Sequence, residues 1–370
     1  MASLSDQAGS VREGEALDLD RLDPWLKQHV PGLGGTPEVT QYAGGASNWT
    51  YRLQYETHDL ILRRPPAGTK AKSAHDMGRE FRIQQALKPV YPFVPDMLVH
   101  CDDASVIGAE FYVMQRLDGI IPRRNLPRGL EMAPAQVRLL CTHMLDTLIA
   151  LHQIDPDAAG LAQFGKGGDY AQRQVEGWAG RYAKARTWNV PRGTRIVEWL
   201  RAHVPVESRT CVVHNDFRFD NLVLYADDPT RVIGVLDWEL ATIGDPLMDL
   251  GNTIAYWVQA DDDPIMRRLR RQPTHLPGML SRREVVEYYC AKTGLDAAHW
   301  TFYEVQGLFR VSAIAQQIYY RYHHRQTRNP AFRQFWLFVH YLHWRCRRLM
   351  RQHDRQHGRQ HGRQHEAASR

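Results

Sequence analysis

No stretch of the 370 residues is apolar for long enough to span a bilayer, and none of the five cysteines (Cys101, Cys141, Cys211, Cys290 and Cys346) forms a CxxC pair. The first absence gives no ground for a membrane protein. The second, with the odd count and wide spacing, argues against a disulfide framework or a cysteine zinc site and makes a reducing cytoplasm the expected location. The opening "MASLSDQAGSVREGEALDLD" has no basic n-region and no apolar core, so it does not read as a signal peptide. A basic face is missing too, despite a net charge of +6. Residues 345–370 hold eight arginines against Asp354 and Glu366, which leaves 39 basic and 39 acidic residues in the rest of the chain. The excess belongs to a tail, so no nucleic-acid partner is expected.

That tail repeats every four residues, "RQHDRQHGRQHGRQH" from Arg351 to His365. Its glycines and lack of apolar residues predict an unstructured extension. The alternative, His353, His357, His361 and His365 on one helix face as metal ligands, is the weaker reading.

What is present is an ordinary soluble composition, 43% apolar and 24% charged, in a chain long enough for two domains or two lobes. An amphipathic helix is expected from about Asp20 to Val30. In "TQYAGGASNWTYRLQYET" the residues Trp49, Tyr51, Leu53 and Tyr55 alternate with polar neighbours, so a half-buried strand follows a turn at Gly44 and Gly45. "HDLILRRPP" reads as a third strand stopped by Pro65 and Pro66. "SAHDMGREFRIQQALKP" reads as a helix, and "EFYVMQRLDG" as another strand. Helical periodicity then dominates, and the one β signal in the second half is the hairpin "NLVLYADDPTRVIGVLDWE". The boundary between a β-rich front and a helical back falls near residues 116–120.

The segment "VVHNDFRFDNLVLY" (212–225) sets His214, Asp216, Arg218, Asp220 and Asn221 directly after an apolar run. A polar turn between strands is one explanation. The hairpin offers another: Asn221 opens its first strand and Asp237 closes its second, so antiparallel pairing brings them together across sixteen positions. With Asp216 five positions earlier, two carboxylates and an amide oxygen form a hard, oxygen-only set suited to Mg²⁺. A carboxylate beside that set can orient a hydroxyl and accept its proton.

The pattern H-x-D-x-x-x-x-N followed by a hairpin and Asp resembles the catalytic and metal-binding loops of the protein-kinase-like fold. More closely, "VVHNDFRFDNLVL…VIGVLDWELATIGDPLMDLGNTIAYW" is similar to the aminoglycoside phosphotransferase-like kinases, which phosphorylate small molecules. "LILRRPP", "FYVMQRLDG" and "DYAQRQVEGWAGRYAKART" resemble one subgroup, the kinase-like domain found in front of acyl-CoA dehydrogenase modules. The resemblance covers about residues 20–345 and includes no such module.

It implies an α+β fold with a small β-rich N-lobe (20–117) and a larger, mainly helical C-lobe (118–345), between an N-terminal extension (1–19) and the tail (346–370). It further implies ATP and Mg²⁺ as cofactors, and a small acceptor bearing a hydroxyl as the partner. By position, Asp216 would be the catalytic carboxylate, Arg218 would lie near the transferred phosphate, and Asn221 and Asp237 would hold the metal. Backbone amides of Gly45, Ala46, Ser47 and Asn48 would cradle phosphate, Arg63 would contact it while paired with Glu80, and Met114 would mark the hinge beside adenine. Two features depart from the kinase pattern. Arg63 stands where V-A-I-K has lysine, keeping charge but changing reach. "AGGASNWTY" replaces G-x-G-x-x-G.

Asp249 is expected to cap the loop's amides from a helix, and Asp245–Pro246 to start that helix. Arg173, Gln174, Trp178 and Tyr182, at near-helical spacing, are candidate acceptor contacts, although packing alone accounts for Trp178 and Tyr182. The subgroup implies a hydroxyacyl-CoA or hydroxy acid as acceptor. An aminoglycoside acceptor and a catalytically silent nucleotide-binding protein are the alternatives.

Overall fold

The structure is a computed structural model that describes residues 8–42, 48–66, 76–207 and 209–368, with side chains to residue 356. Its chain forms two compact units, one comprising Met1–Phe164, Arg218–Thr242 and Ala260–Leu280, the other Gly165–Phe217, Ile243–Gln259 and Ser281–Arg370.

The first unit is built on an antiparallel sheet in the order β1-β2-β3-β5-β4, formed by β1 (Glu38–Gln41), β2 (Trp49–Gln54), β3 (Asp59–Arg64), β4 (Met97–Cys101) and β5 (Phe111–Gln115). Side-chain alternation divides this sheet into two faces. Tyr51, Leu53, Leu60, Leu62, Phe111 and Val113 pack with Leu22 and Leu26 of α1 (Leu19–His29). Ile61, Tyr112 and Met114 face the other way, onto Met77 and Phe81 of α2 (Met77–Leu87). Arg63, two residues beyond Ile61, therefore points to the α2 side. The long α3 (Pro134–His152) starts with proline at its first turn and buries Val137, Leu140, Cys141, Met144, Leu145 and Leu148 at helical spacing.

The expected hairpin is present as β7 (Leu222–Leu224) and β8 (Val232–Val235), with Leu222 opposite Val235. Ile120 exchanges backbone hydrogen bonds with Leu224, so the connection after β5 runs along β7. Gly119 makes this approach possible: a Cβ there would stand 2.3 Å from the Leu224 carbonyl oxygen. The second half holds a further pair that periodicity does not reveal, β6 (Cys211–Val213) with β9 (Thr242–Gly244). Three residues per strand are too few to display alternation.

The second unit is mainly helical: α4 (Tyr170–Ala185), α5 (Thr194–Ala202), α6 (Pro246–Ala255), α8 (Arg282–Thr293), α9 (Trp300–His323) and α10 (Phe335–Ala368), with the short α7 (Pro264–Arg268) belonging to the first unit. Ser281 and Glu284 form a reciprocal capping box at the start of α8, and Gly294 ends it with φ +72°. The backbone of α10 is helical to Ala368. Burial of Val339, Leu342, Cys346 and Met350 fixes its first turns. Extension from a formed helix then costs little, because the unfavourable nucleation step is already made.

His343 of α10 is fully buried against Tyr182 and Phe309. Burial, aided by Arg347, lowers its pKa to about 3. The unfolded chain takes up this proton near pH 6.5, the folded chain only near 3. The stability contributed by neutral His343 is therefore complete above the unfolded value and falls as pH drops from about 6.5 towards 3. Urea unfolding at pH 7 and pH 4.5 should show this loss, and His343→Leu should make the loss smaller. An equal loss in both proteins would contradict it.

Candidate active site

Three elements of the first unit converge on one guanidinium. Arg63 of β3 donates from Nη1 to Glu80 Oε1 at 2.8 Å and from Nη2 to Asp237 Oδ1 at 3.1 Å. The Glu80 side chain is 2% exposed and that of Arg63 11%, so this is a buried pair rather than a surface one. Tyr112, opposite Arg63 on β5, donates its hydroxyl to the same Glu80 oxygen at 2.9 Å. Burial raises the Tyr112 pKa well above its ordinary value, which keeps that donor protonated. Burial also pushes the Glu80 carboxyl up, and Arg63 pulls it back. For Arg63, burial opposes the charge but the Glu80 and Asp237 carboxylates outweigh it, so its pKa stands well above that of a free arginine.

Asp237 follows β8 in the left-handed region at φ +68°, a conformation that aspartate adopts more readily than most residues. Across the hairpin, the Asn221 carbonyl accepts from Leu236 N–H at 2.8 Å. Arg63, Asn221 and Asp237 line one cavity of about 180 Å³, whose other walls include Ile61, Met114, Leu117 and Val223. Arg63 with its partner Glu80, Asn221, Asp237 and Met114 thus lie at one place in the first unit. The Asn48 amide donates to Oε2 of Glu239, two residues beyond Asp237, at 3.3 Å. Gly45, Ala46 and Ser47 lie outside the described residues.

Asp216 belongs to the second unit, on a loop whose shape has a clear cause. Asp249 of α6, fully buried, accepts from the backbone N–H groups of His214 at 2.7 Å and Asn215 at 2.8 Å. This is the cap expected from the sequence. Asp245 starts α6 as its N-cap, accepting from Leu247 and Met248 N–H, with Pro246 next in line. Asn215 takes φ +67°, and its side-chain oxygen accepts from the Tyr170 hydroxyl at 2.9 Å and the Asn252 amide at 3.1 Å. The Asp216 N–H then donates to His214 Nδ1 at 3.2 Å. That bond places the imidazole proton of neutral His214 on Nε2.

Arg218, in the first unit, pairs with Asp220 at 3.3 Å. Of the candidate acceptor contacts, Tyr182 is buried and donates to the Pro191 carbonyl, so packing accounts for it. Tyr112, Glu239 and Asn215 were not singled out from sequence. Alternation in "FYVMQ" puts Tyr112 on the Met114 face, which is the signal that could have found it. Asn215 carries no sequence signal beyond being a residue type that tolerates left-handed backbone.

A five-stranded antiparallel sheet with a buried strand–helix ion pair, followed by a larger helical part, defines a kinase-like fold. A model of the phosphotransferase enzyme family matches residues 38–285, and the chain belongs to that family. It is 38% identical over 317 residues to acyl-CoA dehydrogenase family member 10 of Mus musculus, covering 84% of this chain but only 29% of that protein. The curated relatives it matches are all more than twice as long as the matched portion. A crystal structure from Ralstonia eutropha, of a protein provisionally named an aminoglycoside phosphotransferase, matches with a TM-score of 0.78 at 29% identity, over 91% of this chain and 99% of that one. Choline kinase of Cryptosporidium parvum shares the fold, with a TM-score of 0.64 at 11% identity over 91% and 97% of the two chains. Among the described residues, no helix is long and apolar enough to cross a membrane.

Proposed function

We propose that the chain transfers the γ-phosphoryl group of ATP to a hydroxyl of a small acceptor, with Mg²⁺ as the metal. The observation that carries this reading is the cavity that Arg63, Asn221 and Asp237 line together with an apolar wall. Ile61, Met114, Leu117 and Val223 suit a flat base, and the connection following Met114 offers backbone groups to its edge. Arg63 is held charged and suits phosphate oxygens. One carboxylate and one amide oxygen fit Mg²⁺, which takes few protein ligands and fills its remaining positions with phosphate and water. The bound ion would neutralise charge on the phosphates.

Asp216 is the proposed group that orients the acceptor hydroxyl and takes its proton. Asp249 and His214 support this role by fixing the backbone on which Asp216 stands. Arg218 is proposed to lie near the transferred phosphate, and Asn48, with the segment before it, to cover the phosphates. Hydroxy acids and hydroxyacyl-CoAs are the acceptors the acyl-CoA dehydrogenase relatives suggest, and aminoglycosides the ones suggested by the Ralstonia eutropha protein.

One feature favours a second reading, nucleotide binding without transfer: Asp237 Oδ1 is engaged by Arg63. Asp237 keeps a second oxygen and a partly exposed side chain, so metal binding asks only that the two share the carboxylate. Asp237→Ala is expected to reduce Mg²⁺-dependent nucleotide affinity about tenfold or more, the equivalent of ~1.4 kcal/mol. Titration of a fluorescent ATP analogue with and without Mg²⁺ measures it. Unchanged affinity would remove Asp237 from the metal site.

A further inference from the structure

Arg310 of α9 is 3% exposed. Its Nη2 donates to the Asn215 carbonyl at 2.8 Å, while its Nη1 is buried with no hydrogen-bond partner among the described residues. The guanidinium lies 5.4 Å from the centroid of the Trp178 ring, and that of Arg181 lies 4.2 Å from the same ring. Neither arginine makes an ion pair among the described residues. Burial first, and the charge of Arg310 second, lower the Arg181 pKa.

Two like charges sharing one indole, one of them buried with an idle donor, is an unfavourable arrangement in isolation. The cation–π contacts offset only part of that cost. Asp249, on the other side of the same loop, is committed to the His214 and Asn215 amides. The cluster has donors and positive charge in excess, and an anion supplies what it lacks.

We infer that Arg310 and Arg181, both beside Trp178, form a seat for an anionic group of the acceptor, a carboxylate or a phosphate. The inference rests on the phosphotransferase reading for its location. Arg310 holds the carbonyl of Asn215, the residue next to Asp216, so the anion is bound within a few ångströms of the loop that presents the hydroxyl. The acceptor is then a hydroxyl compound with a negative group nearby. A polycationic acceptor would meet two positive charges here.

The test is calorimetric binding to the full chain in the presence of Mg²⁺ and ADP. The probes are a 4-hydroxy carboxylate, its amide, and a hydroxyalkyl phosphate of equal length. We expect at least one of the anions to bind, the better one identifying carboxylate or phosphate, and the uncharged amide to bind at least tenfold more weakly. Arg181→Gln, at an exposed position, should weaken the anion about tenfold with ADP affinity unchanged. Arg310→Gln should do the same, and if it fails to fold, Arg181→Gln carries the test. Equal binding of acid and amide, anion binding unaffected by Arg181→Gln, or no binding of either anion would overturn the inference. Anion binding with this dependence but no phosphoryl transfer would instead reject the phosphotransferase reading and leave the anion seat standing.

Discussion

Asp216→Asn is expected to lower phosphoryl transfer by about 10²–10⁴-fold, the usual contribution of a positioned general base, while nucleotide affinity is retained. The substitution is close to isosteric and removes the carboxylate's charge together with its capacity to accept a proton. The loop that carries it has backbone anchors besides that side chain. Its backbone is fixed by Asp249 at His214 and Asn215, by Arg310 at the Asn215 carbonyl, and by the Asp216 N–H bond to His214. A fall in kcat with little change in nucleotide binding, seen by coupled detection of ADP and by analogue titration, is the expected outcome. Turnover close to wild type would remove Asp216 from its assigned role.

The largest effect on stability is expected at Glu80. Its carboxylate is the main charge partner of Arg63, and both are buried. Glu80→Ala leaves the guanidinium, among the described residues, with Asp237, which is one-third exposed, and takes away the acceptor of the Tyr112 hydroxyl proton. Breaking one side of a buried pair typically costs about 3–5 kcal/mol, which urea unfolding can measure. Replacing both members, Arg63→Met with Glu80→Leu, should recover much of this, because hydrophobic residues of similar size avoid the desolvation of both charges. The double variant should nevertheless lose Mg²⁺–nucleotide affinity, since the charge proposed to contact phosphate is gone. A loss below about 1 kcal/mol for Glu80→Ala would mark the pair as one of surface type.

These two expectations differ in how readable their residues were. The hairpin carried its own evidence: apolar strands on both sides of a short turn place Asn221 opposite the residues before Asp237 whatever the rest of the chain does. The strand alternation in "HDLILRR" likewise assigned Ile61 and Arg63 to one face, and α2 covers that face because Met77 and Phe81 need an apolar partner. Whether Arg63 and Glu80 were buried was not decided by sequence, since an arginine and a glutamate seventeen positions apart look alike in a core and on a surface. Tyr112 settles it by adding a hydroxyl from the neighbouring strand. The Asn215 pivot was out of reach for another reason. Its role depends on Tyr170, Asn252 and Arg310, which come from three different helices and share no local pattern. Arg310 itself sits in an apolar-looking helix, where one charged residue gives no hint of whether it braces a loop or binds a ligand.

The measurement that bears most directly on the account is product analysis with γ-labelled ATP, Mg²⁺ and a panel of hydroxy acids, hydroxyacyl-CoAs and aminoglycosides. The account predicts that label moves from ATP to an acceptor as a phosphate ester, that ADP release is stimulated by that acceptor, and that both vanish in Asp216→Asn. Label recovered only in ATP or in inorganic phosphate, with every acceptor and with nucleotide demonstrably bound, would contradict it.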